Sequence, residues 1–280
     1  MKCPVCNRHQ TKGENPNSLD FRYMTAIYDC IGCGTGITDF QNHFPSHHSN
    51  LENYRFNTLV ENIFMNLKRL RVLSILLRLK DLPISVLDWG CGRGEVLATF
   101  RKFGSSVTGL EYDKKTAKEA RERNMSVYIS REGGVEALKN SAKRYSVVTA
   151  FHFLEHVENP KEVLVDISNL LTTGGILIAE VPNYASFQKI VTGKFWMGYD
   201  TKNHFYHFTP TSFEKMLNET GFEVFSKTYF SLEYGLPMFF FSLIDKTTKK
   251  TDYFFGILKK SSNIDMNRKM NSLNRILLVP

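Results

Sequence analysis

The sequence predicts an α/β protein: a doubly wound, seven-stranded sheet with its last strand antiparallel, preceded by a small cysteine-rich module. Three observations predict it. Short apolar runs alternate with helical stretches, as a parallel sheet with crossover helices requires. One of these runs, Val86-Leu87-Asp88-Trp89, enters a loop with glycines at 90, 92 and 94. Two Cys-x-x-Cys pairs, Cys3/Cys6 and Cys30/Cys33, precede all of it.

The glycine loop is the most informative stretch. A backbone that turns sharply and lies against a ligand needs residues without a Cβ. Strand, glycine turn and helix (Val96 onward) together make the nucleotide-binding corner of an open sheet. The dinucleotide pattern G-x-G-x-x-G fails, because Glu95 and Leu97 stand where its third glycine belongs. A phosphate-binding loop fails as well, for want of Gly-Lys-Ser/Thr. The remaining pattern, D-x-G-x-G-x-G, has an acid ahead of the glycines and no base placed for phosphate. It suits a phosphate-free ligand with a positive end, such as S-adenosylmethionine. The next strand, Ser106 to Glu111, also ends in a carboxylate, 23 residues beyond Asp88. An acid there can accept hydrogen bonds from ribose hydroxyls.

These residues resemble the signature of class I S-adenosylmethionine-dependent methyltransferases, which implies a Rossmann-like sheet. Contacts to the cofactor are then expected from Asp88, Gly90, Cys91, Gly92, Gly94, Glu111, Tyr112 and Phe151. Tyr54 is a further candidate, ahead of a helix whose stripe Leu59, Ile63, Leu67, Leu70, Leu73 and Leu76 recurs at three- and four-residue steps. Arg69, Arg71, Arg78 and Lys80 should lie on its other side.

Tyr145 to Phe151 reads as a buried strand, Lys161 to Leu171 as a helix stopped by Gly174-Gly175, and Ile176 to Val181 as the next strand. Between them His152-Phe153-Leu154-Glu155-His156 spells H-x-x-E-H, the inverted zinc-protease motif. That motif needs one continuous helix, and here it follows a core strand and stops at Pro160. Leu154-Glu155-His156-Val157 with Pro160 resembles instead the segment after strand 4 of small-molecule methyltransferases, where Glu155 and His156 order the loop.

Paired thiolates two residues apart can face one metal, and two pairs close a tetrahedral site. Cys3, Cys6, Cys30 and Cys33 are expected to hold one structural zinc in a zinc-ribbon-like module. About 40 residues bury too little core to stand without such a staple. The organisation expected is a zinc module at 1–40, a linker at 41–53, a methyltransferase domain at 54–260 and a tail at 261–280. Within it, Tyr253 to Leu258 is the expected last strand.

The acceptor should meet the loop after Val181. It gathers Trp196, Asp200, His204, Tyr206 and His207, and such loops at the carboxyl ends of strands carry ligands. The run Asp200…His204-Phe205-Tyr206-His207-Phe208-Thr209-Pro210, followed by a helix and Gly-Phe-Glu-Val, resembles a subset of these methyltransferases. Members of that subset often carry a cysteine-rich module and are linked to bacterial surface polysaccharides or modified sugars. The resemblance implies a small-molecule or glycan acceptor, a sugar or sugar-nucleotide, methylated on oxygen. His207 or His204 is the expected general base, with His152 next, and Trp196, Asp200 and Tyr206 are expected to bind substrate.

A second class, an RNA methyltransferase using the zinc module and basic surface, competes with this. The module is not notably basic, and no Asn-Pro-Pro-Tyr motif follows the fourth strand. A third class is a non-catalytic binding module, against which the intact glycine loop and Glu111 argue. Net charge is +8, with eight Lys or Arg against three Asp from Asp245 to Pro280. That basic end could touch a membrane surface peripherally. No apolar run reaches the roughly 18 residues that span a bilayer, so the expectation is a soluble, cytoplasmic protein.

Overall fold

The computed structural model describes residues 3–8, 18–20, 25–39, 58–79, 82–229, 239, 242, 243, 246 and 274–278. The expected linker, Tyr54 and the expected strand Tyr253–Leu258 lie outside them.

The amino-terminal region folds as β1 (Ser18–Asp20), β2 (Thr25–Asp29) and β3 (Gly36–Thr38), a small antiparallel sheet. Helix α1 (Thr58–Leu76) follows, and β4 (Ser85–Trp89), α2 (Glu95–Lys102), β5 (Ser106–Glu111), α3 (Lys114–Glu122), β6 (Ser126–Ile129), α4 (Gly134–Asn140) and β7 (Tyr145–Phe151) alternate after it. Then come α5 (Pro160–Leu170), β8 (Leu171–Glu180), α6 (Phe187–Thr192), β9 (Tyr206–His207), α7 (Pro210–Glu219), β10 (Phe222–Lys227) and β11 (Asn274–Leu278).

The large sheet has the order β10-β11-β8-β7-β4-β5-β6. Its central strands are apolar along their length because helices cover both faces. Val86, Leu87, Val148, Leu177 and Ile178 are fully buried. The chain steps from β4 outward through β5 to β6, then returns to β7 on the other side of β4. The strand order therefore reverses at β4, and the carboxyl end of such a switch point is where open sheets form their ligand crevice.

Three expectations need correction. Every pairing in this sheet is parallel, including β10–β11 and β11–β8, so the last strand is not antiparallel. An antiparallel neighbour can follow directly through a hairpin, whereas a parallel one needs a crossover of a dozen residues or more; the 228–273 stretch supplies that length. The strand also comes from the segment read as a tail. Finally, α5 ends at Leu170 and the chain enters β8 at once, so Gly174 and Gly175 lie within the strand. Gly174, at φ 74°, belongs to an irregularity where Leu171 and Ile176 pair with Tyr145 and Val147.

Helix α1 buries Val72, Ile75 and Leu76, while Leu70 is exposed. Arg71, read as solvent-facing, turns inward: its guanidinium lies 4.3 Å from the Phe151 ring centroid and pairs with buried Glu180.

The small sheet crosses the expected domain boundary. Its order is β1-β2-β3-β9, so its fourth strand comes from the loop after β8, with Gly36 opposite His207 and Ile37 opposite Tyr206.

Candidate active site

At the carboxyl end of β4 the three glycines take φ 83°, 54° and 79°, values that favour glycine over every residue with a Cβ. Gly90 must also be bare because the Phe153 ring lies against it: an added Cβ would come within 2.7 Å. A Cβ on Gly92 would meet nothing within 4 Å. The loop thus turns an open cradle toward the crevice.

Two carboxylates frame that cradle. Asp88 is buried and accepts a hydrogen bond from the Thr149 hydroxyl at 2.6 Å. Glu111 binds backbone on both sides of the crevice: Oε2 accepts from Gly92 N at 2.8 Å, Oε1 from Tyr112 N at 2.8 Å and Asp113 N at 3.0 Å. The sulfur of Cys91 packs inward against Gly109, so any contact it makes across the loop is through backbone. Tyr112 carries Arg131 over its ring at 5.5 Å. Asp88, Gly90, Cys91, Gly92, Gly94, Glu111 and Tyr112 therefore converge on one corner. Phe151 lies at the end of β7, beside Arg71.

His152 follows β7 with φ 51°, a left-handed backbone that is uncommon outside glycine. Its Nδ1 is 3.2 Å from Glu155 Oε1 and its Nε2 is 3.5 Å from Glu180 Oε1. Glu155 has no exposed side-chain surface, and burial pushes its carboxyl up to about 8. The H-x-x-E-H string is not helical; Leu154–His156 form a single 3-10 turn. Glu155 O accepts from Phe205 N at 2.8 Å, and His156 Nδ1 lies 3.0 Å from Asn203 O. The turn thus orders the 200–205 loop, as the sequence suggested.

The two favoured bases are not at this corner. His207 is fully enclosed, with its ring 5.4 Å from that of Tyr184 and 6.0 Å from that of Tyr199. Thr38 spends its hydroxyl proton on His204 O at 2.7 Å, so His207 Nε2 must donate to Thr38 Oγ1 at 2.9 Å. Burial first, then the charges of His204 and Lys189, hold this imidazole well below its usual pKa. His204 is also buried, and its Nδ1 is 3.2 Å from Gly198 O. Both rings serve the seam between the loop and the small sheet, which corrects their assignment as the base.

The expected substrate contacts shift similarly. Trp196 is buried with Ile27, Tyr184 and Tyr199 in one apolar cluster. The Tyr206 hydroxyl donates to Glu158 O at 2.9 Å, and Asp200 accepts from the Asn203 amide at 3.0 Å. Tyr206 and Trp196 pack the loop rather than facing the crevice. Among these loop residues Asp200 keeps part of its carboxylate exposed.

Sequence reasoning missed Thr149, Arg71 and Glu180. Glu180 was within reach: like Asp88 and Glu111, it is an acid at or beside the carboxyl end of a strand.

The four cysteines meet as their spacing implies. One ligand atom from each lies within 4.8 Å of the others, with Cys3 and Cys33 sulfurs 3.6 Å apart and Cys6 and Cys30 sulfurs 3.3 Å apart.

This geometry has relatives. The methyltransferase-domain family matches residues 61–227, more than half of the sequence. The chain belongs to that family. A ubiquinone biosynthesis O-methyltransferase of Maricaulis maris is 30% identical over 153 residues, 49% of this chain and 58% of that protein. The chain thus spans only part of that relative's length. Among solved structures, an S-adenosylmethionine-dependent methyltransferase from Archaeoglobus fulgidus superimposes with a TM-score of 0.51 at 24% identity, over 64% of this chain and 76% of its own. One from Thermotoga maritima gives 0.50 at 18% identity over 76% and 91%. These two show the shared Rossmann-like fold. Among the described residues, no helix is long and apolar enough to cross a membrane.

Proposed function

We propose that this chain is an S-adenosylmethionine-dependent methyltransferase acting on an oxygen of a small-molecule or glycan acceptor, a sugar or sugar-nucleotide. The observation that carries the reading is the corner itself: a bare, positive-φ Gly92 linked by its N–H to the Glu111 carboxylate. The family match and the O-methyltransferase names of the relatives support it. The chain covers about half the length of several of those relatives, and the acceptor named in their titles is theirs.

The corner fits such a cofactor. Gly92 leaves room for it, Glu111 offers a carboxylate for the ribose hydroxyls, and Asp88 adds negative charge beneath the loop. When bound, S-adenosylmethionine supplies an electrophilic methyl group. The protein's share is then position and proton removal. His152, the third-ranked base in the sequence, is the nominee that lies at the end of β7. Glu155 orients it by accepting from Nδ1–H, and Nε2, which is buried on the Glu180 side of the ring, takes the acceptor's proton. Glu180 then stabilises the imidazolium, as a carboxylate does beside a catalytic histidine.

The cysteines fit a structural zinc. Sulfurs at tetrahedral positions about 2.3 Å from zinc lie roughly 3.8 Å from one another, close to the separations here. Cys3, Cys6, Cys30 and Cys33 would hold it, and its chemistry would be to fix the small sheet.

Calorimetry with S-adenosylhomocysteine tests the corner. Binding should be measurable in the wild type, and Glu111→Ala should weaken it at least tenfold. Equal affinity in the two proteins would refute the site.

A further inference from the structure

We propose that Glu155, His156 and His204 form a second metal site, distinct from the four cysteines, for a divalent first-row transition ion. Two segments distant in sequence bring these residues together: the 3-10 turn after β7, and the loop that precedes β9. One ligand atom from each lies within 4.8 Å of the others, and the two imidazole centroids are 4.6 Å apart in an edge-on arrangement.

Three features distinguish this cluster from incidental packing. A carbonyl oxygen only accepts, so His156 Nδ1 must donate to Asn203 O at 3.0 Å and His204 Nδ1 to Gly198 O at 3.2 Å. Both rings are thereby held with Nε2 as the lone-pair nitrogen. Metal-ligating histidines show this arrangement, their other N–H bound to a carbonyl that fixes tautomer and orientation. The third feature is Glu155. Its side chain has no exposed surface; Oε1 is bound to His152, and Oε2 has no hydrogen-bond partner among the described residues. A buried carboxyl oxygen without a hydrogen-bond partner is costly, and a cation between it and the two Nε2 atoms supplies the missing partner. Asp200, with Oδ2 3.9 Å from His204 Nε2, adds negative charge at the same place.

Two imidazoles and one carboxylate suit zinc, cobalt, iron(II) or manganese rather than calcium or magnesium. Three protein ligands leave positions open. The cluster starts two residues beyond Phe153, whose ring covers Gly90. The open positions would therefore take oxygens of the acceptor, and two adjacent hydroxyls chelate best. Only this last step rests on the methyltransferase reading; the metal site does not.

Cobalt(II) titration of the full-length, zinc-loaded protein tests the site without cofactor or acceptor. The wild type should take up one equivalent with weak visible bands and no near-ultraviolet thiolate-to-cobalt charge transfer. That absence separates it from cobalt exchanging into the cysteines. His156→Gln and His204→Gln should each weaken this uptake at least tenfold. His156 is half-buried, so its variant guards against misfolding, and an unchanged far-ultraviolet dichroism spectrum confirms the fold. Failure to bind a thiolate-free equivalent, or equal affinity in both folded variants, would overturn the site. S-adenosylhomocysteine binding, measured on the same samples, reports separately on the cofactor corner.

Discussion

The corner at β4 and the loop from Trp196 to Thr209 are both rich in unusual residues, and they use them differently in three dimensions. At the corner, the requirement lies in the backbone. A positive φ at Gly90, Gly92 and Gly94 admits few other residues, so the pattern can hardly mean anything else. In the loop, the requirement lies in side chains. Histidine, tyrosine and tryptophan serve a pocket or a core equally well, and here Trp196, Tyr199 and His207 serve the core. A motif that constrains backbone is stronger testimony of function than one that concentrates chemistry.

The hardest blow to this contrast is aimed at the corner. Gly92→Arg places a large side chain in the open cradle at a φ it resists, and calorimetry should find cofactor binding lost below detection. Retained binding would mean the corner, too, is only a turn.

A smaller effect is expected at the proton-accepting position. His152→Ala should lower turnover about a hundredfold, the ordinary worth of a positioned base, with cofactor affinity changed less than about twofold. A loss confined to KM would instead make His152 a binding residue.

Chelation probes the loop through its partner. Stripping the zinc proposed for the cysteines should raise amide hydrogen exchange at 25–38 and, through the β3–β9 pairing, at 204–208. Strands β4 and β5 should stay protected. Faster exchange in the first segment alone would show that the loop holds itself.

The mildest is Thr38→Val, which leaves His204 O and His207 Nε2–H buried without their partner. Each such orphan costs roughly 1–3 kcal/mol, so the thermal midpoint should fall by about 5 °C with little change in cofactor binding.

The same contrast explains what was legible. Sheet strands β4, β5, β7 and β10 announce themselves as apolar runs closed by turn residues, and Cys3, Cys6, Cys30 and Cys33 announce their meeting by spacing. The strand at Asn274–Leu278 has a comparable apolar run, Ile276-Leu277-Leu278, but its partners β8 and β10 lie far back in the chain, and nothing local says which strands it joins. Strand β9 does not announce itself, being a two-residue strand whose role depends on β3. Arg71 was misread because helical periodicity places a charge outside unless a buried acid waits for it, and Glu180 waits at the end of β8. The H-x-x-E-H string was rightly denied a protease helix, yet its Glu155 and His156 meet His204 only in space.

The bond between Thr38 and His207 joins residues 169 apart. During synthesis at about 5–20 residues per second, the first three strands of the small sheet would therefore leave the ribosome on the order of ten to thirty seconds before the strand that completes it. In that interval β9 cannot cover Ile37, and neither His204 O nor His207 Nε2–H is there to bond the Thr38 hydroxyl. Four thiols that can close around an ion by themselves give those strands a way to stay together until their fourth member arrives.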